Sequence, residues 1–428
     1  MLRKGQTEAP DQRRGIPGSQ IPQTDTPYAA GRLLVTLALM TVGACGMYIV
    51  PVVLPAVQAE FGVARADAAL PYSLLMIGFG VGGLIMGRLA DRYGVMVPLL
   101  IAGTCLGAGL ALAGTTQSLA SYMLAHGVLI GLLGSAALFA PLIADTSLWW
   151  VRRRGIAVAI CASGNYLGGA LWPPIIQRYT EQHGWRHTYF ALGLFCFVVV
   201  TGLALLMRRR PPIVLPEARR HGHATSESSP FGLTSVQGQT LLCIAGVACC
   251  VAMSMPQVHI VAYCADLGYG AARGAEMLSV MLAFGIASRL ISGAICDRIG
   301  GLRTLLIGAA LQGVALLLFL PFDGLISLYV IAALFGLFQG GIVPSYAIII
   351  REHFPASEAG WRVGLVIMCT LFGMALGGWM SGKVFDLTGS YRAAFVNGVA
   401  WNALNLAIAF FLLYRARLIP GRSARAPA

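Results

Sequence analysis

Arg289 is the one charged residue well inside its apolar stretch, which runs from about 272 to 295 with only Arg273 and Glu276 near its start. A charge in such surroundings costs at least about 2.5–3.5 kcal/mol on insertion scales, so it needs an anion, a carbonyl or a route to water. Its planar guanidinium matches a carboxylate through two parallel N–H bonds. The alternative is an arginine that snorkels to the nearer surface or rests on a structural carbonyl. His259 stands three residues after Pro256, which removes a backbone donor and favours a bend. As a neutral imidazole His259 can donate to an anion or carry a proton; a packed histidine is the bland reading. Tyr48, Asn165, Tyr166, Gln339 and Tyr346 are hydroxyls and amides in other apolar runs. Together they can complete an anion site; singly each reads as a hydrogen bond between helices. His126 has the weaker claim. Asp91-Arg92 and Asp297-Arg298 lie in short polar turns, where a carboxylate can stabilise a helix N-terminus in one arrangement and release it in another. They read as gate elements, not ligands.

The missing chemistry narrows the classes. The ten cysteines form no CxxC and sit almost entirely in apolar runs, as small fillers rather than metal ligands. No cluster of His, Asp and Glu and no nucleophile with its base is visible. The glycine runs (Gly78, Gly80, Gly82, Gly83; Gly164, Gly168, Gly169; Gly373, Gly377, Gly378) lie inside helical stretches without a preceding strand. They read as close-packing faces and not as phosphate loops. The expectation is a protein with no catalytic residue, no metal and no cofactor.

The elements that hold these residues follow from the charges. Only 11% of the 428 residues are charged and 57% are hydrophobic, whereas a soluble domain carries about 25% charged residues. Such a chain needs a lipid bilayer as its solvent. A crossing helix takes about 20 apolar residues, and charge-free stretches run 33–59, 68–87, 93–144, 155–177, 187–207, 228–265, 304–322, 324–350, 363–382 and 393–414. GTTQS at 114–118 divides 93–144 into two spans, 228–265 opens as loop, and 272–295 completes twelve. Trp149, Trp150 and Trp185 read as anchors at the membrane interface. Trp172 with Pro173 and Pro174 shapes the outer end of the fifth span.

Lys and Arg set the orientation. Of the 30, 23 fall on the side of both termini and 6 on the other, with Arg289 between them. Both termini are therefore expected in the cytoplasm of a multi-pass protein of the inner cell membrane. The same asymmetry accounts for the net charge of +13 without nucleic acid. Residues 1–30 and 417–428 read as cytoplasmic tails, 31–207 and 237–416 as six-span units, and 208–236, opening on Arg208-Arg209-Arg210-Pro211-Pro212, as a linker.

Three echoes share one offset of 206 residues: Asp91 in GRLADRYG with Asp297 in GAICDRIG, Glu60 with Asp266, and Arg186 with Arg392. A common register at three places marks two homologous halves, a known transporter plan. The fold expected is all-α, twelve transmembrane helices in two pseudo-symmetric six-helix bundles.

The loop at 87–94 resembles the signature of the major facilitator superfamily, G-x-L-x-D-R-x-G-R-[RK], at Gly87, Leu89, Asp91, Arg92 and Gly94. Val95 and Met96 replace its trailing basic pair. WWVRRRGIAVAICASGNYLGG at 149–169, PQVHIVAYCADLG at 256–268 and FGIASRLISGAICDRIG at 284–300 are similar to the fifth, seventh and eighth spans of bacterial monocarboxylate porters, with oxalate/formate exchangers nearby. The resemblance covers about residues 31–416. Two positions depart from it. The first-span acidic-glycine-aromatic signature is absent around Gly46-Met47-Tyr48, and Gly285 stands where such members carry a carboxylate four residues before the arginine.

The resemblance implies a monomeric secondary transporter of a small carboxylate working by alternating access, with proton symport left open. It also implies that Tyr48, Asn165, Tyr166, Gln339 and Tyr346 lie on cavity-lining spans. The alternatives are a drug/proton antiporter, a neutral-solute uniporter and a membrane sensor. The antiporter fits poorly because Gly169 stands in place of its fifth-span proline, and a sensor would need a further signalling domain.

Overall fold

The computed structural model describes residues 24–150, 152–210, 230–355 and 358–418. Residues 1–23 and 419–428 of the expected tails, and 211–229 of the expected linker, lie outside the described residues. Twelve helical spans are long and apolar enough to cross a membrane: α1 Pro27–Phe61, α2 Arg65–Tyr93, α3 Met96–Thr115, α4 Leu119–Trp149, α5 Arg154–His183, α6 Trp185–Leu206, α7 Ser235–Asp266, α8 Ala271–Ile299, α9 Gly301–Leu318, α10 Leu325–His353, α11 Ala359–Thr388 and α12 Tyr391–Arg417. An even number of crossings puts Pro27 and Arg417 on one face. We call it the terminal face and its opposite the distal face.

Backbone chemistry requires this form: every N–H and C=O in lipid must be satisfied within its own segment. The polar turn at 116–118 separates α3 from α4 as expected. α7 runs as one continuous helix through Pro256. The interruptions fall elsewhere. α4 widens into a π-helix over Ala125–Gly134, tightens to a 3-10 turn over Ser135–Leu138, and breaks at Phe139 (φ −127°, ψ −76°) before Pro141. α10 is interrupted at Gly340 and Gly341.

Within the first half α1 packs on α5, α2 on α4 and α3 on α6; in the second α7 packs on α11, α8 on α10 and α9 on α12. These pairs correspond one to one, which is the two-bundle pseudo-symmetry. The halves meet through α2 on α11, α5 on α8 and α1 on α7. A two-fold that exchanges the halves turns the first of these joins into the second.

The glycine runs form close-packing faces. Side chains at Gly78 and Gly82 would strike the α4 backbone at Gly127 and Leu132. Gly164 and Gly168 sit against Leu37, Met40 and Thr41 of α1, and Gly373 and Gly377 against Val247 and Val251 of α7. The ten cysteines are all free.

The tryptophan expectation needs correction. Trp149 is 1% exposed and lies under the Arg32 guanidinium, 4.9 Å from ring centre to carbon. Trp185 is buried and its indole N–H donates to Glu60 at 2.5 Å. Each ring covers a charged group at a bundle end, so it is drawn inward rather than left at the interface.

Arg32 itself grips Asp145 through two bonds of 2.9 Å, tying α1 to α4, with both side chains no more than 5% exposed. Asp145→Asn keeps the shape and strands the arginine's charge. It should cost about 3–5 kcal/mol, read as a lower thermal midpoint of the detergent-purified protein. Arg32→Met with Asp145→Leu should recover most of the loss. An unchanged midpoint for Asp145→Asn would show that the pair is not a structural staple.

Candidate functional site

α5 and α8 bring together the residues around Arg289. On α5, Ala162, Asn165 and Tyr166 fall at i, i+3 and i+4 and so share one face. The Arg289 guanidinium carbon stands 4.6 Å over the Tyr166 ring, and Nη1 donates a long 3.4 Å bond to the Ala162 carbonyl. Nε is buried without a partner. Among the described residues no carboxylate pairs with this arginine. It therefore keeps nearly all its donors for a ligand, and the ring face supports its charge through a cation–π contact. Gly285 makes this possible, because a side chain there would collide with the Tyr166 ring. Tyr48 of α1 donates to Asn165 Oδ1 at 3.1 Å, with Gly169 giving its ring room. Arg289, Tyr166, Asn165 and Tyr48 thus form one cluster across both halves.

Asn165 also borders a small void on the first-half side, with room for about one water molecule. Its other walls include Met40, Met47, Phe79, Leu138, Phe139 and Ser135. The break in α4 aims the last three inward, and Phe79 and Phe139 stand ring to ring at 5.7 Å.

The structure does not bring the remaining sequence-predicted residues to this cluster. His259 is fully buried near the distal face, where Nε2 donates to the Gly378 carbonyl at 2.7 Å and Nδ1 accepts from the Tyr391 hydroxyl at 3.1 Å. Both nitrogens are occupied, so in this conformation it is a packed histidine rather than a ligand. Gln339 accepts from Gln257 at 3.0 Å inside the second half, and Tyr346 donates to Asn405 at 2.9 Å in a separate core. Both are fully buried, and both bond within their own bundle. His126 is packed, held between the Tyr122 carbonyl and the Tyr189 hydroxyl.

Asp91 and Arg92 occupy the last turn of α2, and Asp297 and Arg298 that of α8, each ending at a glycine of positive φ (Gly94, +86°; Gly300, +83°). Among the described residues none of the four enters an ion pair. The carboxylate at the α9 N-terminus is Glu352, which accepts from Gly301 N at 3.1 and 3.2 Å. The aspartates do not cap that helix here.

A second constellation, not anticipated from sequence, closes the distal face. Arg65 at the start of α2 crosses between the halves and donates to both oxygens of Asp266 on α7 at 3.1 Å, and to the Tyr391 hydroxyl on α12 at 2.8 Å. Its guanidinium carbon lies 4.6 Å over the Phe385 ring. Asp386 on α11 accepts from the backbone N–H groups of Arg65 and Ala66 at 2.8 and 2.9 Å, a carboxylate on a helix N-terminus. Below it, Ser73 donates to the Ala375 carbonyl at 2.6 Å, and Ser279 bonds the Ala170 carbonyl.

The terminal ends of the interface helices are less crowded: Gly87, Gly155, Gly293, Gly360 and Gly364, at that end of α2, α5, α8 and α11, have open space where a side chain would stand. Gly378 and Gly382, at the distal end of α11, are pressed against α2. The distal side is closed by the Arg65 constellation, with the Arg289 cluster below it.

Asp266→Asn should loosen the lock. Charge-assisted hydrogen bonds are worth about 1.5–3 kcal/mol, and the low end applies because Asp266 is partly exposed. Amide exchange in segments 65–70 and 386–391 should then rise roughly ten-fold. Unchanged exchange there would remove Arg65–Asp266 from the closure.

The family model described as Major Facilitator Superfamily matches residues 36–325 and, in a second placement, 242–428. Monocarboxylate transporter 13 of Rattus norvegicus is 28% identical over 340 residues, covering 77% of this chain and 75% of that protein. MFS-type transporter pynF of Aspergillus niger is 26% identical over 316 residues, 73% of this chain and 71% of that one. Among solved structures, the nucleoside transporter NupG superposes with a TM-score of 0.71 at 14% identity over 90% of this chain and 99% of its own. The peptide transporter POT in complex with sulfate gives 0.71 at 13% identity over 91% and 96%. At such identities the solved structures speak for the fold alone. The family match spans both six-helix bundles, and with the paired halves, the shared 206-residue register and the signature loop it leads to one conclusion: the chain belongs to the major facilitator superfamily, as a multi-pass membrane transporter and not an enzyme.

Proposed function

We propose that this transporter moves a small organic monocarboxylate across the cell membrane by alternating access, as a monomer with both termini in the cytoplasm. The observation that carries the reading is the Arg289 guanidinium, unpaired with any described carboxylate and stacked on Tyr166, whose chain neighbour Asn165 accepts from Tyr48. A planar cation in an apolar bundle, with its donors free, is built for a bidentate anion. The similarity to monocarboxylate transporter 13 supports the same class. In this reading the terminal face is cytoplasmic, residues 31–207 and 237–416 are the two moving units, and the Arg65 lock holds the outer side shut. Asp91, Arg92, Asp297 and Arg298 change partners as the cytoplasmic side closes. Where transport is coupled to protons, the proton travels on the carboxylate itself, or on His259 once the lock opens and frees its nitrogens; uniport and exchange are the alternatives.

Arg289→Lys keeps the charge and loses the fork, so carboxylate binding should weaken without vanishing. Arg289→Gln should abolish carboxylate-dependent thermal stabilisation of the purified protein, a larger effect than changing Tyr48 or Asn165 singly. The amide of the same acid should bind wild type poorly. A well-folded Arg289→Gln that takes up carboxylate into proteoliposomes at wild-type affinity would overturn the assignment. Orientation is checked separately: a reporter fused after Ala428 or inserted near Ser226 should be active only in the cytoplasm, and periplasmic activity at either point would reverse the topology.

A further inference from the structure

We infer that the terminal face carries a binding site for an anionic phospholipid, at the corner where the chain between α4 and α5 meets the end of α6. The site lies apart from the Arg289 cluster and does not depend on which solute is carried. Two arginine triplets converge there. Arg152, Arg153 and Arg154 lead into α5, and Arg208, Arg209 and Arg210 follow α6, all six exposed. The start of α1 fixes their meeting. Asp25 donates its N–H to the Trp149 carbonyl, and its carboxylate accepts from Arg152 N, both at 3.1 Å. The Arg209 guanidinium carbon stands 5.0 Å from the Tyr28 ring centre and 6.0 Å from that of Trp149. Arg154 donates to the Trp150 carbonyl at 3.2 Å and Arg210 to the Tyr93 carbonyl at 3.4 Å. Both triplets are thus held in place. Among the described residues, the guanidinium groups of Arg152, Arg153 and Arg208 have no hydrogen-bond or ion-pair partner. Asp145, the other acid beside Trp149, is already gripped by Arg32.

Depth selects the partner. α6 packs on α3, α5 and α1 of its own bundle, so the exposed Leu205 and Leu206 of its last turn face lipid. Arg208 follows within one turn and stands at the level of the headgroups. Leu148 and Ile156, both exposed, bracket the other triplet in the same way. A guanidinium meets a phosphate through two parallel N–H bonds, and basic clusters directly beside a span attract anionic headgroups. The internal repeat supplies a comparison. In the 206-residue register Arg152, Arg153 and Arg154 become Glu358, Ala359 and Gly360, while Arg208 and Arg210 become Tyr414 and Ala416. Arg415, equivalent to Arg209, is engaged by the Gly232 carbonyl at 2.6 Å. The second bundle forms the same six spans without the triplets, so the fold does not require them. Orientation does not require them at one corner either, since a topological signal need only lie on the right side of the membrane.

The test uses the full chain in detergent, titrated with phosphatidylglycerol or with phosphatidylcholine of the same acyl chains, and reads the thermal midpoint. Phosphatidylglycerol should stabilise wild type at concentrations at least about ten-fold below those of phosphatidylcholine. Arg153→Gln combined with Arg208→Gln should remove most of that preference and leave the midpoint in phosphatidylcholine unchanged, because both side chains are exposed. Arg153→Lys with Arg208→Lys, which keeps the charges, should retain most of it. Arg303→Gln with Arg351→Gln takes the same charge from exposed positions on the terminal face of the second bundle, and should leave the preference intact. Equal loss in the two glutamine pairs would reveal diffuse attraction to the whole face and overturn the site, as would equal stabilisation of wild type by the two lipids. Inorganic phosphate that stabilises wild type, with the effect lost in Arg153→Gln/Arg208→Gln, would make the ligand a free anion and overturn the lipid assignment.

Discussion

Arg65 holds the conformation together. One side chain from the first half reaches Asp266, Tyr391 and the Phe385 ring of the second, while Asp386 returns a carboxylate to the start of its helix. The distal ends are fixed in this way, and the Arg289 cluster lies below the joint, toward the middle of the bundle. The lock also breaks the internal symmetry. Glu60 and Asp266 are equivalent by register, as are Arg186 and Arg392. In the first half Glu60 keeps to Arg186, at 2.7 Å. In the second, Asp266 is taken across the interface by Arg65, and Arg392 is left with the exposed Asp323 at 3.6 Å. Two homologous halves thus carry one carboxylate in two duties, one internal and one bridging.

The Arg32–Asp145 and Arg65–Asp266 pairs differ in what they hold. Arg32–Asp145 lies within one bundle, so both partners travel together whatever the bundles do. Arg65–Asp266 joins bundles, and Asp266 remains partly open to water. A buried pair resists separation because a stranded charge is costly, whereas a half-hydrated one separates at a price water can meet. Burial therefore sorts the permanent fastening from the releasable one.

Much of the fold was legible because lipid is a demanding solvent. Charge-free length gave the spans, and glycine spacing gave the faces on which helices approach. Arg289 was legible for the same reason: a charge inside a span needs an explanation. The lock was not, since Arg65 and Asp266 are about 200 positions apart and each looks like an ordinary loop-end charge until the bundles are superimposed. His259 and Tyr346 lie away from the Arg289 cluster because placement on a span does not say which way a side chain faces. Both turned into their own bundle, to Tyr391 and Asn405. Trp149 and Trp185 misled in the opposite sense, since interface residues can also be lids over buried ions.

Gly285 has an electrical consequence. Where a carboxylate four residues before the arginine would neutralise it internally, this chain has no side chain at all, and Tyr166 fills the space with an uncharged ring. The empty site is then a monocation within the bundle. Under the proposed function, a monoanion bound without a proton cancels that charge, so the loaded carrier then reorients as a neutral body and the empty one does not. The membrane potential acts on the unloaded return, at about 2.3 kcal/mol for each elementary charge carried through 100 mV. One glycine thereby decides which half of the transport cycle is sensitive to voltage.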